Sequence, residues 1–141
     1  TAGSDLPEFY KQLGRNAEAI YAPSPWEQDM PFPGSREFLE AYRKAWNHDP
    51  IYQSAAAYSA TLVFEKALRQ VGGLDRERIR EALLKMEDTN LFGTYKVDER
   101  GVQTGRKMAI LQWQNGKKMV VWPRAVATGE AVYPAPPWRG R

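Results

Sequence analysis

The chain has 141 residues, of which 43% are hydrophobic, 26% charged and 12% aromatic, and its formal net charge is +3. That length suits one domain, or a piece of a larger one, with enough apolar residues for a core, and the charged fraction argues against wholesale disorder. Cysteine is absent and His48 is the lone histidine. Disulfides, thiolate metal sites and cysteine nucleophiles are therefore excluded, and multi-His metal sites and Ser-His-Asp triads are disfavoured.

No apolar run approaches the ~20 residues of a membrane helix. Position 1 is not Met, and no basic-then-apolar leader precedes Ser4. The expectation is a processed or truncated product whose targeting signal is gone.

Leu6, Phe9, Tyr10 and Leu13 fall at i, i+3, i+4, i+7 and predict a first helix. Asp5 is placed as its cap, Pro7 in its first turn and Gly14 at its stop. Ala17–Ala22 reads as a short strand on the β propensity of Ile20 and Tyr21. Four prolines between Pro23 and Gly34 surround Trp26, Met30 and Phe32, which predicts an ordered, irregular loop. Ser35 opens a second helix to about Trp46 with Phe38, Leu39, Tyr42 and Trp46 on one stripe, and Asn47-His48-Asp49-Pro50 ends it.

A long helix is expected from about Gln53 to Val71, with Ala60, Val63, Phe64, Ala67, Leu68 and Val71 on one face. Ser54-Ala55-Ala56-Ala57 gives its first turns small side chains that allow close approach. Gly72-Gly73 closes this helix and Asp75 caps the next, whose buried stripe is Ile79, Ala82, Leu83 and Met86. The arginines Arg76, Arg78 and Arg80 fall outside that stripe and are expected in solvent. Phe92–Val97 and Met108–Gln114 read as strands with a turn at Asp98–Gly101. Asn115-Gly116 predicts a tight hairpin turn, since a type I′ turn needs positive φ twice, and Met119–Trp122 is the return strand up to Pro123. After Arg124 the chain is rich in Ala, Gly and Pro and is expected to run extended or wrapped over a surface. The order is α/β with an antiparallel C-terminal addition.

Catalytic signals are missing. Gly72-Gly73 follows a helix and lacks phosphate-loop spacing, so it reads as a C-cap. Glu37 and Glu40 read as a solvated pair, and His48 beside Asp49 as a helix-end or surface residue. The cations are dispersed, so a nucleic-acid site built on Trp138, Arg139 and Arg141 is disfavoured. No catalytic residue, metal site or cofactor is expected. What remains is aromatic and polar material at element ends. Trp26 lies on a rigid loop after a strand, and Tyr52 and Gln53 at the start of the Ala-rich helix, where backbone N–H groups attract carboxylates. Trp26 and Tyr52 can also be read as packing residues, and Tyr58 is placed in the core.

The pieces Pro25-Trp26, Phe38-x-x-x-Tyr42, Asp49-Pro50-x-Tyr52 and Ala55-Ala56-Ala57-Tyr58-Ser59-Ala60 follow one another in order. Then come Ala67-Leu68-Arg69, Ile79-Arg80-Glu81-Ala82-Leu83, Phe92-Gly93, Val97-Asp98, Gly101, Gln112-Trp113-Gln114, Gly116 and Val121-Trp122-Pro123. Together, over about Ala17 to Pro123, they resemble the C-terminal portion of a type I periplasmic binding protein. The group is the branched-chain amino acid (Leu/Ile/Val-like) receptors of ABC importers.

The resemblance implies an α/β fold of two Rossmann-like lobes that close on a ligand, ending in an antiparallel meander or hairpin. Residues 1–48 would belong to the C-terminal lobe, 49–100 would pack on the N-terminal lobe, 101–123 would return to the C-terminal lobe and 124–141 form an extended tail. Against the family pattern, the first lobe and its carboxylate-binding Ser and Thr groups are missing. The implied ligand is a small carboxylate-bearing solute, such as a branched-chain amino acid or an aromatic acid.

The implied cleft residues are Tyr52 or Gln53 before the long helix, and Gly3 and Ser4 after a strand end that serves the ligand's amino group. The implied setting is the periplasm, or an anchored extracellular position. The implied partners are the small-molecule ligand, an ABC permease and the missing N-terminal lobe, or a second copy of the chain through apolar faces such as Ala60/Val63/Phe64/Ala67. The alternative, from another class, is a ligand-sensing regulator domain of the same fold.

Overall fold

The computed structural model describes residues 3–137. In chain order its elements are α1 (Pro7–Leu13), β1 (Tyr21–Ser24), α2 (Ser35–Trp46), α3 (Tyr52–Val71), α4 (Arg76–Lys85), β2 (Asp88–Asn90), β3 (Gly93–Tyr95), β4 (Ala109–Gln114) and β5 (Lys117–Trp122). Single 3-10 turns occur at Gly14–Ala17 and Arg124–Val126. They form two compact units, one from the chain up to Met30 together with the chain from Met108, the other from Pro31–Lys107.

The first unit is a three-stranded antiparallel sheet in the order β1-β4-β5. One face of its central strand, β4, is apolar, with Leu111 fully buried and Trp113 4% exposed, and the other carries Ile110, the buried Gln112 and Gln114. Leu111 and Trp113 pack with Ala22, and Phe9, Tyr10 and Ile20 cover them. The Tyr10 and Trp113 rings stack at 5.1 Å. Asn115 and Gly116 take φ of 52° and 75°, as the expected turn requires, and join β4 to β5 from Gln114↔Lys117 onward. Glu18 fastens that turn by accepting the backbone N–H groups of Asn115 and Gly116 and the Tyr10 hydroxyl, each at 2.8 Å.

Two expectations for this unit are corrected. Asp5 is not the cap of α1: Leu6 holds that position without a side-chain bond, and Asp5 is itself buried. The strand placed at Ala17–Ala22 lies at Tyr21–Ser24, because the chain first makes a 3-10 turn and then bends at Ala19, whose φ is 62°. Ala19 and Ile20 still exchange backbone bonds with Trp113, which is the β character their sequence showed. Pro23 falls within β1 and is tolerated because β1 is an edge strand. Of the described residues after Arg124, Val132 is tied to β4. The buried Gln112 carboxamide accepts from Val132 N–H at 2.8 Å and donates to the Val132 carbonyl at 3.0 Å.

In the second unit α3 packs on α4 through Ala67, Ile79 and Ala82, with Leu68, Val71, Leu83 and Met86 around them. Gly72 closes α3 in the left-handed region and Asp75 caps α4 by accepting Arg78 N–H at 3.0 Å, both as expected. Arg76, Arg78 and Arg80 are exposed. The strand expected at Phe92–Val97 is instead a small two-stranded sheet, β2 against β3, with only Val97↔Gln103 bridged beyond it. Its first strand, Asp-Thr-Asn, has no strand signal. Side chains set it instead: buried Asn90 accepts the Ser59 hydroxyl at 2.8 Å and the Phe92 N–H at 3.0 Å.

Tyr58, expected in the core, is 50% exposed and lies against Phe38 at 5.1 Å between ring centres. The apolar face of α3 is divided. Val63 and Ala67 are buried, whereas Ala60 and Phe64 are exposed, Phe64 by 48%.

Candidate functional site

Tyr52 is the first residue of α3, preceded by extended Ile51 with no side-chain cap. The carbonyl of Ile51 accepts Ser54 N–H at 3.0 Å and Ala55 N–H at 3.3 Å, so the N–H groups of Tyr52 and Gln53 precede the first helical bond. Their partial positive charge is of the kind that holds a carboxylate. Tyr52 is half-buried and Gln53 exposed. Ser54 in the same turn donates to the Tyr42 hydroxyl at 3.2 Å, tying the start of α3 to the aromatic stripe of α2.

The other residues singled out from the sequence lie in the first unit. Gly3 takes φ of 91° in a turn whose carbonyl accepts Leu6 N–H at 3.1 Å. Ser4 is buried and its carbonyl accepts the Trp113 indole N–H at 2.7 Å. Trp26 is 2% exposed, with its carbonyl accepting the Ser24 hydroxyl at 2.9 Å. Thus Gly3, Ser4 and Trp26 belong to one unit and Tyr52 and Gln53 to the other.

The sequence reading missed a buried ion pair in the first unit. Glu27, next to Trp26, is 7% exposed and meets Lys118 of β5 at 2.6 Å. Burial pushes its carboxyl above the usual carboxylate range, and the neighbouring Asp5 charge adds to that. Lys118 and a hydrogen bond from Ser24 oppose the rise without cancelling it. No spacing along the chain announces this pair, because the hairpin and the loop after β1 meet only in the fold.

The remaining polar candidates are not arranged for chemistry. His48 is exposed, edge-on to Tyr42, with Nδ1 2.9 Å from the Asp49 carbonyl oxygen. Glu40 pairs with Arg36 at 3.0 Å on the open face of α2, and Glu37 is also exposed. Trp138, Arg139 and Arg141 lie outside the described residues. Among the described residues no cluster of three or more His, Cys, Asp or Glu is placed to hold a metal ion, and no helix is long and apolar enough to cross a membrane.

Comparison with known proteins places these features in a family. A family model described as a periplasmic binding protein matches residues 4–118. Leu/Ile/Val-binding protein homolog 7 of Brucella suis biovar 1 is 32% identical over 107 residues, covering 72% of this chain and 27% of the relative. The chain therefore spans about a quarter of the length of the curated relatives it matches.

Among solved structures, a leucine-binding protein from Thermotoga maritima superposes with a TM-score of 0.71 at 24% identity, over 84% of this chain and 34% of that one. A Brucella ovis protein, described as binding leucine, isoleucine, valine, threonine and alanine and crystallised in a closed conformation, gives 0.66 at 23% identity over 90% and 32%. At these identities the structures bear on the fold, and they bear out the α/β type I binding-protein architecture. The family is defined by binding and not by a reaction, in agreement with the sequence reading. By the match over residues 4–118, the chain belongs to the periplasmic binding protein family.

Proposed function

We propose that the chain is the C-terminal portion of the solute-binding component of an ABC importer. The intact receptor binds a small carboxylate-bearing solute, a branched-chain amino acid or an aromatic acid, and closes on it about a hinge. It works in the periplasm, free or membrane-anchored, and delivers the solute to a membrane permease. The observation that carries this reading is the family match across most of the chain, joined to a Leu/Ile/Val-binding relative at 32% identity.

Within that reading, Tyr52 and Gln53 meet the ligand from the start of α3, and Gly3, Ser4 and Trp26 are the candidates that the first unit holds, Ser4 and Trp26 among its buried residues. Residues 1–48 and 101–123 belong to the C-terminal lobe, 49–100 pack on the N-terminal lobe and 124–141 form the tail. The path of the chain supports a crossover, since it leaves the first unit after Met30 and re-enters it at Met108, though this groups residues 31–48 with the second unit. The exposed apolar side chains Tyr58 and Phe64 suit a surface that the N-terminal lobe covers, or that a second copy covers when the chain is alone.

Titrating the intact receptor with leucine, isoleucine, valine and benzoate tests the proposal. At least one is expected to bind, with Tyr52→Ala weakening it about tenfold, or roughly 1.4 kcal/mol, while the receptor stays folded. Unchanged affinity in a folded Tyr52→Ala receptor removes that residue from the site. Failure of all four acids overturns the assigned ligand class.

A further inference from the structure

Asn115 and Gly116 make the turn between β4 and β5, and Asn115 is the one asparagine of the chain that precedes a glycine. Such a pair carries its own reaction. The main-chain nitrogen of the second residue can attack the carboxamide carbon of the first, Cγ, because joining the two closes a five-membered ring. A glycine in second place adds no Cβ to obstruct the approach. Asn115 is exposed, so water reaches the site.

The product fixes the direction of attack. In the cyclic imide the nitrogen is planar and bonded to three carbons, so Cγ must arrive where the hydrogen of the Gly116 N–H now lies. In the fold that direction is occupied. The Gly116 N–H donates to Glu18 Oε1 at 2.8 Å, and the Asn115 N–H donates to Oε2 of the same carboxylate, also at 2.8 Å. An ionised acceptor holds such donors more firmly than a carbonyl does. Glu18 is itself held from two further sides. Its Oε1 accepts the Tyr10 hydroxyl at 2.8 Å. The main chain that follows it is tied to β4, Ala19 N–H to the Trp113 carbonyl at 2.8 Å and Trp113 N–H to the Ile20 carbonyl at 3.1 Å. The Tyr10 ring also backs Gly116, where a Cβ would meet it at 3.3 Å.

From this geometry we infer that Asn115 is a latent self-modification site that Glu18 keeps closed. When the clasp opens, Gly116 attacks Asn115, and the asparagine becomes an aspartate or isoaspartate. The step needs only water. The bond formed joins the Gly116 nitrogen to Asn115 Cγ. The bond broken is that from Cγ to the carboxamide nitrogen, which leaves as ammonia with the proton given up by Gly116. Water then opens the imide, at the side-chain carbon to give aspartate or at the main-chain carbon to give isoaspartate. Either product puts a negative charge on the residue whose N–H holds the Glu18 carboxylate, and like charges repel. In isoaspartate the main chain also runs through Cβ and is one atom longer, against the tight Gln114↔Lys117 closure of the turn. Modification therefore weakens the clasp that had prevented it. The inference uses none of the candidate ligand residues and is independent of the solute proposed above.

The test incubates the folded chain at mildly alkaline pH and follows the peptide that holds Asn115 by mass spectrometry, which reads the conversion of amide to acid. The chain unfolded in guanidinium chloride supplies the unguarded rate. The folded chain is expected to convert at least about tenfold more slowly, since the turn must open before it reacts. Glu18→Ala is expected to raise the folded-state rate about tenfold, and Glu18→Gln, which keeps one acceptor oxygen, about threefold. Amide exchange outside the turn reports that each variant is folded, and Glu18→Gln carries the test if Glu18→Ala does not fold. Asn47-His48, in the other unit, is expected to keep its rate in both variants. A folded wild-type rate within about twofold of the unfolded one, an unchanged rate at Asn115 in the folded variants, or an equal rise at Asn47 would each overturn the inference.

Discussion

Removing Lys118 while leaving Glu27 is the most informative perturbation of the first unit. In Lys118→Met the carboxyl of Glu27, 7% exposed, loses the ammonium that stands 2.6 Å away. Breaking a fully buried ion pair from one side costs about 3–5 kcal/mol, and because the Lys118 side chain is a quarter exposed the cost falls to the bottom of that range or just under it, about 2–3 kcal/mol. Glu27→Gln leaves Lys118 able to turn its ammonium into water and costs about 1 kcal/mol. The double variant, with neither charge, is expected to be more stable than Lys118→Met alone. The sign with pH follows from the raised carboxyl. A group whose folded pKa lies above its unfolded value binds protons more tightly in the native state, so its unfavourable burial grows as pH rises through that window and vanishes at lower pH. Urea unfolding followed by tryptophan fluorescence at pH 5 and pH 8, with Trp26 and Trp113 as buried reporters, measures all of this. At about 2 kcal/mol per molar of urea, Lys118→Met moves the midpoint by roughly 1 M at pH 8 and by clearly less at pH 5. A shift below about 0.3 M at pH 8, or one that is the same at both pH values, would refute the account of Glu27 as a buried carboxylate that Lys118 sustains.

Three further outcomes are expected. Burial pushes the Glu18 carboxyl up, but the Tyr10 hydroxyl and the N–H groups of Gly116 and Asn115 outweigh it and hold it below its ordinary value. Its contribution is therefore present above the unfolded carboxylate pKa and lost as pH falls through the folded one. Glu18→Gln should cost about 1–2 kcal/mol and speed hydrogen exchange at Asn115 and Gly116, and unchanged exchange there would count against the clasp. Gly116→Ala combines φ of 75° with a new Cβ 3.3 Å from the Tyr10 ring, and thermal unfolding should show about 1–2 kcal/mol of destabilisation. Asn90→Ala strands the Ser59 hydroxyl and the Phe92 N–H, so about 2–3 kcal/mol is expected by denaturant titration, with β2 losing amide protection first.

The legible parts of the fold were those where a local signal and the tertiary outcome agree. The 3.6-residue period of α3 and α4, the Gly72 and Asp75 caps and the Asn115-Gly116 turn are all specified within a few residues. β1 was displaced because its start depends on Ala19 adopting positive φ, a conformation alanine has no local reason to choose. β2 escaped because Asp-Thr-Asn is a strand only through the partners Asn90 finds on α3 and ahead of β3. Tyr58 was misplaced because periodicity says which side a residue faces, and not whether anything lies there. For the candidate site, helix-end position singled out Tyr52 and Gln53, whereas Glu27 and Lys118 are brought together only by the sheet. The family resemblance was legible because it rests on the order of many weak motifs, which survives drift at any one of them.

The clasp on Val132 separates the duties of the two segments it joins. Gln112 presents an amide that imitates a neighbouring strand, and the segment answers with main-chain groups alone, one N–H and one carbonyl. Around Val132 recognition therefore resides in side chains of the sheet, Gln112 first, with the Tyr21 hydroxyl donating to the same carbonyl at 3.5 Å and Gln114 donating to the Glu130 carbonyl at 2.8 Å. Any residue except proline can stand at position 132, because the bonds use nothing of its side chain. The attachment at this point is thus written in the sheet and not in the strap, so position 132 is one where the side chain can be exchanged, for a spectroscopic label among others, while the main-chain attachment is inherited.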